Sequence, residues 1–352
     1  MNDDFSQVLA AQYRRYPLMQ PQDFGKLAFQ SEFGPEHMIT DTGKSFSRIL
    51  EEIPRAREEQ ASAELEWIGN GLCRFPLAAL SDESVEAALL SRLMAATAVQ
   101  HQGSKEGMER RLQQLRQLPV PGMEAWLQQY RGMGCPAVHH SDVFRRTYRP
   151  HYRLLLAEFA LYFPVLSRLE QHMKSGKPVT VAIDGRCGSG KTSLAQLLRR
   201  IYRCNVFHMD DFYLPFSERK PDWPQSIAGN MDLARFAREV LEPLRNRQPV
   251  DYRRYHCPTG TYSSAQRMQP TELTVIEGSY SHHPALSGYY DCKVFLTCTP
   301  GEQQRRLRRR EGDNFEGFEK YWIPMEERYF RTCRTQQNSD ITVDTGIVPI
   351  AG

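Results

Sequence analysis

The stretch VTVAIDGRCGSGKT, residues Val179 to Thr192, decides the fold of this chain. Its apolar beginning, Val179–Ile183, predicts a buried β-strand. The residues from Gly185 to Thr192 fit the phosphate-loop pattern Gly-x-x-x-x-Gly-Lys-[Ser/Thr], in which backbone N–H groups surround a phosphate chain. The residues expected to hold the nucleotide are Gly185, Arg186, Cys187, Gly188, Ser189, Gly190, Lys191, Thr192 and Ser193.

Two side chains of this loop have specific expected roles. The Lys191 ammonium is expected to reach the β- and γ-phosphates, and the Thr192 hydroxyl is expected to bind Mg²⁺. The apolar pattern that begins at Ser193 predicts a helix, and a helix N-terminus favours an anion. The sequence therefore predicts a site for ATP and Mg²⁺ at the end of a strand.

Apolar runs and helical patterns alternate on the C-terminal side of this stretch. This alternation predicts an α/β fold of the P-loop NTPase type, with a mostly parallel sheet covered by helices on both faces. The predicted strands are 179–183, 204–209, 273–276, 293–298 and 341–343, and the predicted helices are 191–202, 232–246, 302–311 and 315–330.

The first half of the chain is read as an all-α domain of unknown role. Its helix-forming segments have apolar residues at three- and four-residue spacing, and β-branched runs are scarce. The predicted helices are 61–68, 82–99, 105–118 and 151–174, the last with a kink at Pro164. A polar turn at 174–178 separates the halves, so we expect domains at 1–174 and 175–352.

Composition limits the classes of partner. Lys and Arg number 45 and Asp and Glu 42, which leaves +3, too little to predict a nucleic-acid-binding coat. The eight cysteines form no Cys-x-x-Cys pair, which is typical of reduced thiols. Neither a signal peptide nor a membrane span is predicted, so a cytoplasmic protein is expected. The sequence leaves open whether the chain forms a homo-oligomer.

Carboxylates follow two of the predicted strands. Asp210 and Asp211 come at the end of the second strand, where the γ-phosphate and an acceptor hydroxyl must meet. One carboxylate there can accept the hydroxyl proton, and the other can help to hold Mg²⁺. Glu277 ends the strand that begins at Leu273, as expected for a metal-supporting carboxylate. The alternative is that both aspartates only cap the following turn.

An arginine cluster lies on the predicted helix 302–311. Arg306 and Arg310 are four residues apart and share one face. Such a cluster predicts a lid over transferring phosphate, with nucleic-acid binding or a solvated basic face as the alternatives.

These motifs together resemble the uridine kinase-like enzymes of the phosphoribulokinase/uridine kinase family, over about 178–345. The resemblance rests on 208–215 (HMDDFYLP), 229–232 (GNMD), 275–284 (VIEGSYSHHP), the arginine helix and 322–326 (WIPME). It implies ATP-dependent phosphorylation of a hydroxyl group on a small molecule, most simply a nucleoside. The implied roles are base for Asp210, Mg²⁺ support for Glu277 and Asp211, lid for Arg306 and Arg310, and acceptor binding for Tyr213, Asp232, Tyr255, Tyr280 and His283.

The chain departs from that family where the pyrimidine is bound. Gly260 stands where uridine–cytidine kinases have a histidine, and 229–232 replaces their aspartate–histidine–proline run. A kinase of a non-nucleoside acceptor therefore stays open, as does a nucleotide-switched regulator or a nucleic-acid-binding ATPase. The absence of an Asn-Lys-x-Asp motif counts against a GTPase.

The N-terminal half contains two weaker candidate sites. Glu32, Glu36, His37 and Asp41 suggest a metal or second catalytic site, against the simpler interpretation of a polar turn. Cys135, His139 and His140 suggest zinc ligands, but no second pair is spaced to complete a tetrahedron.

Overall fold

The computed structural model describes residues 5–35 and 42–346, and the chain divides into two compact units between Phe163 and Pro164. The division lies before the boundary expected at residues 174 and 175. The reason is that the helix Phe163–Met173 packs with the second unit, where Glu170 accepts a hydrogen bond from the Tyr202 hydroxyl at 2.7 Å.

The first unit is predominantly helical. Its helices are α1 (Phe5–Arg15), α2 (Pro21–Phe33), α3 (Thr42–Glu58), α4 (Glu83–Gln100), α5 (Lys105–Leu115), α6 (Met123–Gly132), α7 (Asp142–Tyr148) and α8 (Ala157–Leu161). Phe24, Leu27, Leu112 and Leu127 are fully buried and belong to its apolar core.

The first unit also contains a three-stranded antiparallel sheet, so the expectation of an all-α domain was wrong in this respect. Its strands are β1 (Glu66–Gly69), β2 (Leu72–Pro76) and β3 (Tyr152–Leu156), in the order β1-β2-β3. Asn70 and Gly71, with φ of 55° and 71°, form the turn between β1 and β2. Asn-Gly between two apolar runs is a strong hairpin signal, and it outweighs the helix propensity of 61–68.

The predicted kinked helix over 151–174 was also wrong in its first part. Leu154 and Leu155 are buried in β3, where they pair with Arg74 and Cys73 of β2. The helical segment then resumes as α8 and α9 (Phe163–Met173).

The second unit has the predicted α/β fold. Its five-stranded sheet has the order β12-β11-β4-β10-β5 and every pairing is parallel. The strands are β4 (Val179–Gly185), β5 (Cys204–His208), β10 (Leu273–Glu277), β11 (Cys292–Thr297) and β12 (Ile341–Asp344), and all five predicted strands are confirmed.

Helices and two small hairpins complete the second unit. The helices are α10 (Lys191–Ile201), α11 (Leu233–Phe236), which continues through a π turn into α12 (Glu242–Arg245), α13 (Pro300–Glu311), α14 (Phe315–Gly317) and α15 (Ile323–Cys333). The hairpin strands are β6 (Val250–Tyr252), β7 (Tyr255–His256), β8 (Thr261–Tyr262) and β9 (Gln266–Met268), which the sequence did not predict. In the described part of the chain no helix is long and apolar enough to cross a membrane.

Candidate functional site

Three neighbouring strands end at the same edge of the parallel sheet. β4 lies next to β10, and β10 lies next to β5. Glu277 is in register with Ile183 on one side and with His208 on the other. Because carboxyl ends of parallel strands meet at one edge, the loop after β4, the carboxylate that ends β10 and the turn after β5 face one crevice.

The loop after β4 needs its glycines. Gly185 has φ of 139°, and a Cβ there would lie 2.0 Å from the Leu296 carbonyl oxygen. Gly190 has φ of 95° and is the residue immediately before α10. Only glycine enters these backbone regions at low cost, so the curled loop follows from the sequence.

The loop offers hydrogen-bond donors that the protein does not use. The hydroxyl of Ser189 is buried and has no partner among the described residues. No side chain caps the first turn of α10, which begins at Lys191. Buried polar groups are normally satisfied, and uncapped N–H groups at a helix start attract anions. These donors fit the phosphates of a nucleotide.

Lys191 and Thr192 begin α10 on the crevice side. The Lys191 ammonium donates to the carbonyl oxygens of Gly185 and Arg186 at 2.7 and 3.2 Å. The Thr192 hydroxyl donates to Oε1 of Glu277 at 3.2 Å.

The pair Thr192 and Glu277 fits Mg²⁺. In the part of the chain that the structure describes, no group of three or more His, Cys, Asp or Glu side chains could hold a metal ion. Magnesium needs fewer protein ligands, because it commonly binds one or two carboxylates together with waters and phosphates. A hydroxyl and a carboxylate at the edge of a phosphate loop are the hard oxygen donors that it prefers.

His208 is a site residue that the sequence analysis missed. Its Nδ1 lies 2.5 Å from Oε1 of Glu277, the oxygen that also accepts from Thr192. The hydrogen bond to Glu277 raises the pKa of His208. Its position at the end of β5, one residue before the Met-Asp-Asp turn, was the available signal.

The two aspartates after β5 have different surroundings. Both lie in a 3-10 turn, Met209–Phe212, rather than on the strand. Asp210 is exposed and accepts a hydrogen bond from the Tyr213 hydroxyl at 3.0 Å. Asp211 is half-buried, forms an ion pair with Arg254 at 3.3 Å, and its pKa is raised by burial. Of the two carboxylates, that of Asp210 is the more exposed to solvent.

The residues expected to bind the acceptor fall into two groups. Tyr213 contacts Asp210, and Tyr255 lies in β7 with its ring centroid 5.1 Å from that of Tyr262. Asp232 caps α11 by accepting from the Arg235 backbone N–H at 2.9 Å. Tyr280 packs in the core with 3% exposure. Asp232 therefore stabilises the start of α11, and Tyr280 contributes to the apolar core of the second unit.

The paired histidines after β10 also differ. His282 is buried, with Nε2 3.0 Å from the Ala182 carbonyl oxygen and Nδ1 3.1 Å from the Ser339 hydroxyl. His283 is half-buried, accepts from the Ala285 backbone N–H at 3.2 Å, and its pKa is lowered by burial. The hydrogen bonds of His282 therefore fix it against β4, while Nε2 of His283 has no hydrogen-bond partner among the described residues.

Asn230 is a second residue that sequence reasoning did not single out. It is fully buried, and neither its side-chain nitrogen nor its oxygen has a partner among the described residues. Its backbone oxygen accepts from Leu214, which lies just after Tyr213. An unsatisfied buried amide is uncommon and indicates a missing water or ligand.

The two arginines of α13 do not share one environment. Arg306 donates to the carbonyl oxygens of Gly188 and Thr345 at 3.3 and 2.8 Å, and to Glu302. Arg310 is exposed and pairs with Glu311. Of the two, only Arg306 is hydrogen-bonded to the phosphate loop.

A carboxylate on α15 holds the loop from the other side. Glu326, 5% exposed, accepts from the Cys187 backbone N–H at 2.9 Å and from the Ser279 hydroxyl at 2.7 Å. Gln303 donates to the Cys187 carbonyl oxygen at 3.1 Å. Burial raises the pKa of the Cys187 thiol, which keeps it protonated. The sequence motif 322–326 included Glu326, but gave no signal of this contact.

Two residues of the weaker candidate sites in the first unit, Glu32 and His140, have protein partners. Glu32 is buried and pairs with Arg111 at 3.0 Å. His140 bridges Asp23 and Tyr152 at 3.0 and 2.7 Å, and burial lowers its pKa to about 4. These contacts account for Glu32 and His140 without a metal. The other members of the first cluster, Glu36, His37 and Asp41, lie outside the described residues.

The known proteins that the chain resembles include uridine kinases. No family model matches the chain. The uridine kinase of Geobacillus kaustophilus is 28% identical over 135 residues, which are 35% of this chain and 63% of that protein. The uridine kinase of Oceanobacillus iheyensis is 27% identical over the same shares. Thus the chain spans somewhat less than two thirds of the length of these relatives.

A solved structure shows a likeness over about half of the chain. The structure of a possible uridine kinase from Bacillus stearothermophilus is 21% identical, with a TM-score of 0.41, and covers 51% of this chain and 100% of its own. The sheet order and the loop described above establish the fold independently. The chain is therefore similar to the uridine kinases, with the parallel sheet and phosphate loop of a P-loop kinase in its second unit and a predominantly helical extension before it.

Proposed function

We propose that this chain is a cytoplasmic, ATP- and Mg²⁺-dependent kinase that phosphorylates a hydroxyl group of a small molecule of the nucleoside type. The observation that carries the proposal is the common edge of β4, β10 and β5. That edge combines a loop with unused donors, the Thr192–Glu277 pair and the exposed Asp210 carboxylate.

In the proposed reaction the acceptor hydroxyl attacks the γ-phosphorus of ATP. The products are a phosphate monoester, ADP and a proton. Asp210 takes the hydroxyl proton, because it is exposed and its one side-chain partner, Tyr213, donates to it and leaves a second oxygen for the acceptor. The Tyr213 hydroxyl orients that carboxylate.

The phosphate loop and neighbouring residues neutralise the negative charge of the ATP phosphates. Lys191 leaves the loop carbonyls that it contacts in this structure and neutralises the β- and γ-phosphates. Thr192 and Glu277 would hold Mg²⁺, which would supply further neutralisation of the phosphates. Asp211 contributes less to this proposal, because its carboxylate already forms an ion pair with Arg254.

The nucleoside class of acceptor rests on the similarity to uridine kinases, and the residues around Tyr255 bear on which nucleoside is bound. Gly260 has φ of 65°, and a Cβ there would lie 3.9 Å from the Tyr255 hydroxyl, in otherwise open space. A side chain at this position would lie beside the Tyr255 hydroxyl, and here none is present. This departure from the uridine–cytidine kinases leaves room for an acceptor that differs from uridine.

The test is ATP turnover by the full chain, with and without an acceptor panel. The panel contains nucleosides, sugar phosphates and a pantothenate-like alcohol, and each product is identified by a mass gain of one phosphoryl group. Fast turnover only with a nucleoside supports the proposal as stated. Turnover with a non-nucleoside alone would keep the kinase and replace the acceptor class. Fast acceptor-independent hydrolysis would overturn the kinase in favour of a switch or motor.

The arginines of α13 provide a prediction with an internal control. Arg306→Ala is expected to lower the transfer rate by about 10- to 100-fold, because Arg306 lies on the loop where phosphate charge develops. Arg310→Ala removes the same charge four residues away and is expected to change the rate by less than about threefold. Steady-state rates at saturating ATP decide between the two. An equal loss in both variants would restore the sequence-based view of a two-arginine lid.

Glu326 yields a second prediction. Glu326→Ala leaves the Cys187 N–H buried without an acceptor, which costs about 1–3 kcal/mol and should also loosen the loop and weaken ATP binding. Glu326→Gln can still accept from Cys187 and donate to Ser279, so it is expected to bind ATP at least as well as the wild type. Thermal unfolding and ATP titration measure both effects. If Gln is as harmful as Ala, the charge of Glu326 matters rather than its hydrogen bonds.

A further inference from the structure

One pocket is lined entirely by residues of the first unit. Its volume is about 790 Å³, within the range of pockets that enclose a small molecule. It is bounded by α2, α5, α6 and the turn after α6. Its lining residues are Phe29, Phe33, Lys105, Met108, Glu109, Leu112, Arg131, Gly134 and Cys135.

The floor of this pocket is apolar. Met108 and Leu112, 3% and 0% exposed, belong to the core of the unit and present their outer side to the pocket. Phe29 and Phe33 form one wall, with ring centroids 4.8 Å apart. A large apolar concavity left to water is costly, and such cavities commonly bind apolar molecules.

The mouth of the pocket has a net positive charge. Glu109 and Arg131 form a bidentate pair at 2.8 and 3.1 Å, so their charges cancel. Lys105 is exposed, and no carboxylate of the described residues forms an ion pair with it. One uncompensated ammonium group thus stands beside an apolar floor.

We propose that this pocket binds a small monocarboxylic acid with an apolar body, whose carboxylate pairs with Lys105 and whose body lies on Phe29, Phe33, Met108 and Leu112. The charge at the mouth selects the acid over a neutral alcohol of the same length. The apolar floor supplies most of the affinity, because exposed ion pairs contribute little by themselves.

The experiment compares decanoate with decanol by calorimetric titration of the full chain. Decanoate is expected to bind more tightly than decanol by about three- to fivefold. Lys105→Met should remove this preference and leave decanol binding unchanged, and Lys105→Arg should keep it. Arg110→Met is the matched control, since Arg110 is an exposed cation of α5 that does not line the pocket. Equal binding of the two probes to the wild type, or the same loss in both methionine variants, would overturn the role of Lys105.

Cys135 provides a second readout that locates the probe. Its thiol lines the pocket and is half-buried, and burial raises its pKa. Saturating decanoate should slow alkylation of Cys135 by N-ethylmaleimide several-fold, as measured on peptides by mass spectrometry. Cys257, a half-buried thiol of the second unit with a pKa also raised by burial, should be alkylated at an unchanged rate. Unprotected Cys135, or no decanoate binding at all, would overturn the proposed site.

Discussion

Asp210→Asn is expected to lower the rate of phosphoryl transfer by about 10²–10⁴-fold while ATP affinity is kept or slightly increased. A hydroxyl group is a weak nucleophile at neutral pH and needs a base within hydrogen-bond reach. Asparagine keeps the shape of the side chain and can still accept from Tyr213, but it cannot take a proton. The rate is measured with saturating acceptor, and ATP affinity by titration of the acceptor-free protein.

Asp211→Asn is the matched control for this experiment. The Asp211 carboxylate pairs with Arg254 and is approached by the Tyr252 hydroxyl at 3.5 Å. Its replacement should therefore reduce the transfer rate less than Asp210→Asn does, and should act partly through stability. If the two substitutions have reversed effects, Asp211 is the base. Unchanged transfer in both variants would refute the proposed mechanism.

Lys191→Ala is expected to reduce turnover by about 10²–10³-fold or more, with the protein still folded. The Lys191 ammonium is a positively charged group on a flexible side chain of the loop. In this structure it donates to two loop carbonyl oxygens, and it can exchange these contacts for contacts with phosphates. Without Lys191, the negative charge of the phosphates is less well neutralised, and this neutralisation stabilises the transition state most. Lys177→Ala, an exposed lysine in the turn before β4, controls for the loss of one positive charge.

Two measurements separate catalysis from folding in these variants. Thermal unfolding of Lys191→Ala should match that of the wild type within a few degrees, since Lys191 is only half-buried. Turnover close to the wild type in this variant would mean that the loop does not bind the phosphates of the nucleotide. A large fall in Lys177→Ala would point to a general effect of charge.

The second unit could be predicted well because its signals are local. Val179–Ile183 is continuously apolar and runs into a glycine pattern that few backbone conformations satisfy. Each strand of the sheet is a short apolar run between turns, which is what burial on both faces demands. The position of Glu277 at the end of its strand followed from the same reasoning.

The first unit was harder to predict because two competing local signals gave different answers. Residues 61–68 have helix propensity, yet Asn70-Gly71 closes a hairpin that pairs Glu66 with Arg74. Propensity differs by less than about 1 kcal/mol per residue, and tertiary pairing easily outweighs it. β3 follows β2 by some 75 residues and pairs with it through Leu155 and Cys73. Because this pairing is distant in sequence, no local sequence pattern predicts β3.

The sequence by itself determined that the chain has a phosphate loop on a parallel sheet, because glycine geometry and strand burial act on neighbouring residues. Only the tertiary structure decided which charged side chains are available for chemistry. Asp210 and Asp211 are adjacent in sequence, yet only Asp211 forms an ion pair with Arg254. Arg306 and Arg310 are one turn apart, yet only Arg306 is hydrogen-bonded to the phosphate loop. The partners of Asp211 and of the loop, Arg254 and Glu326, lie 43 and 139 residues away, and long-range packing alone brings them together.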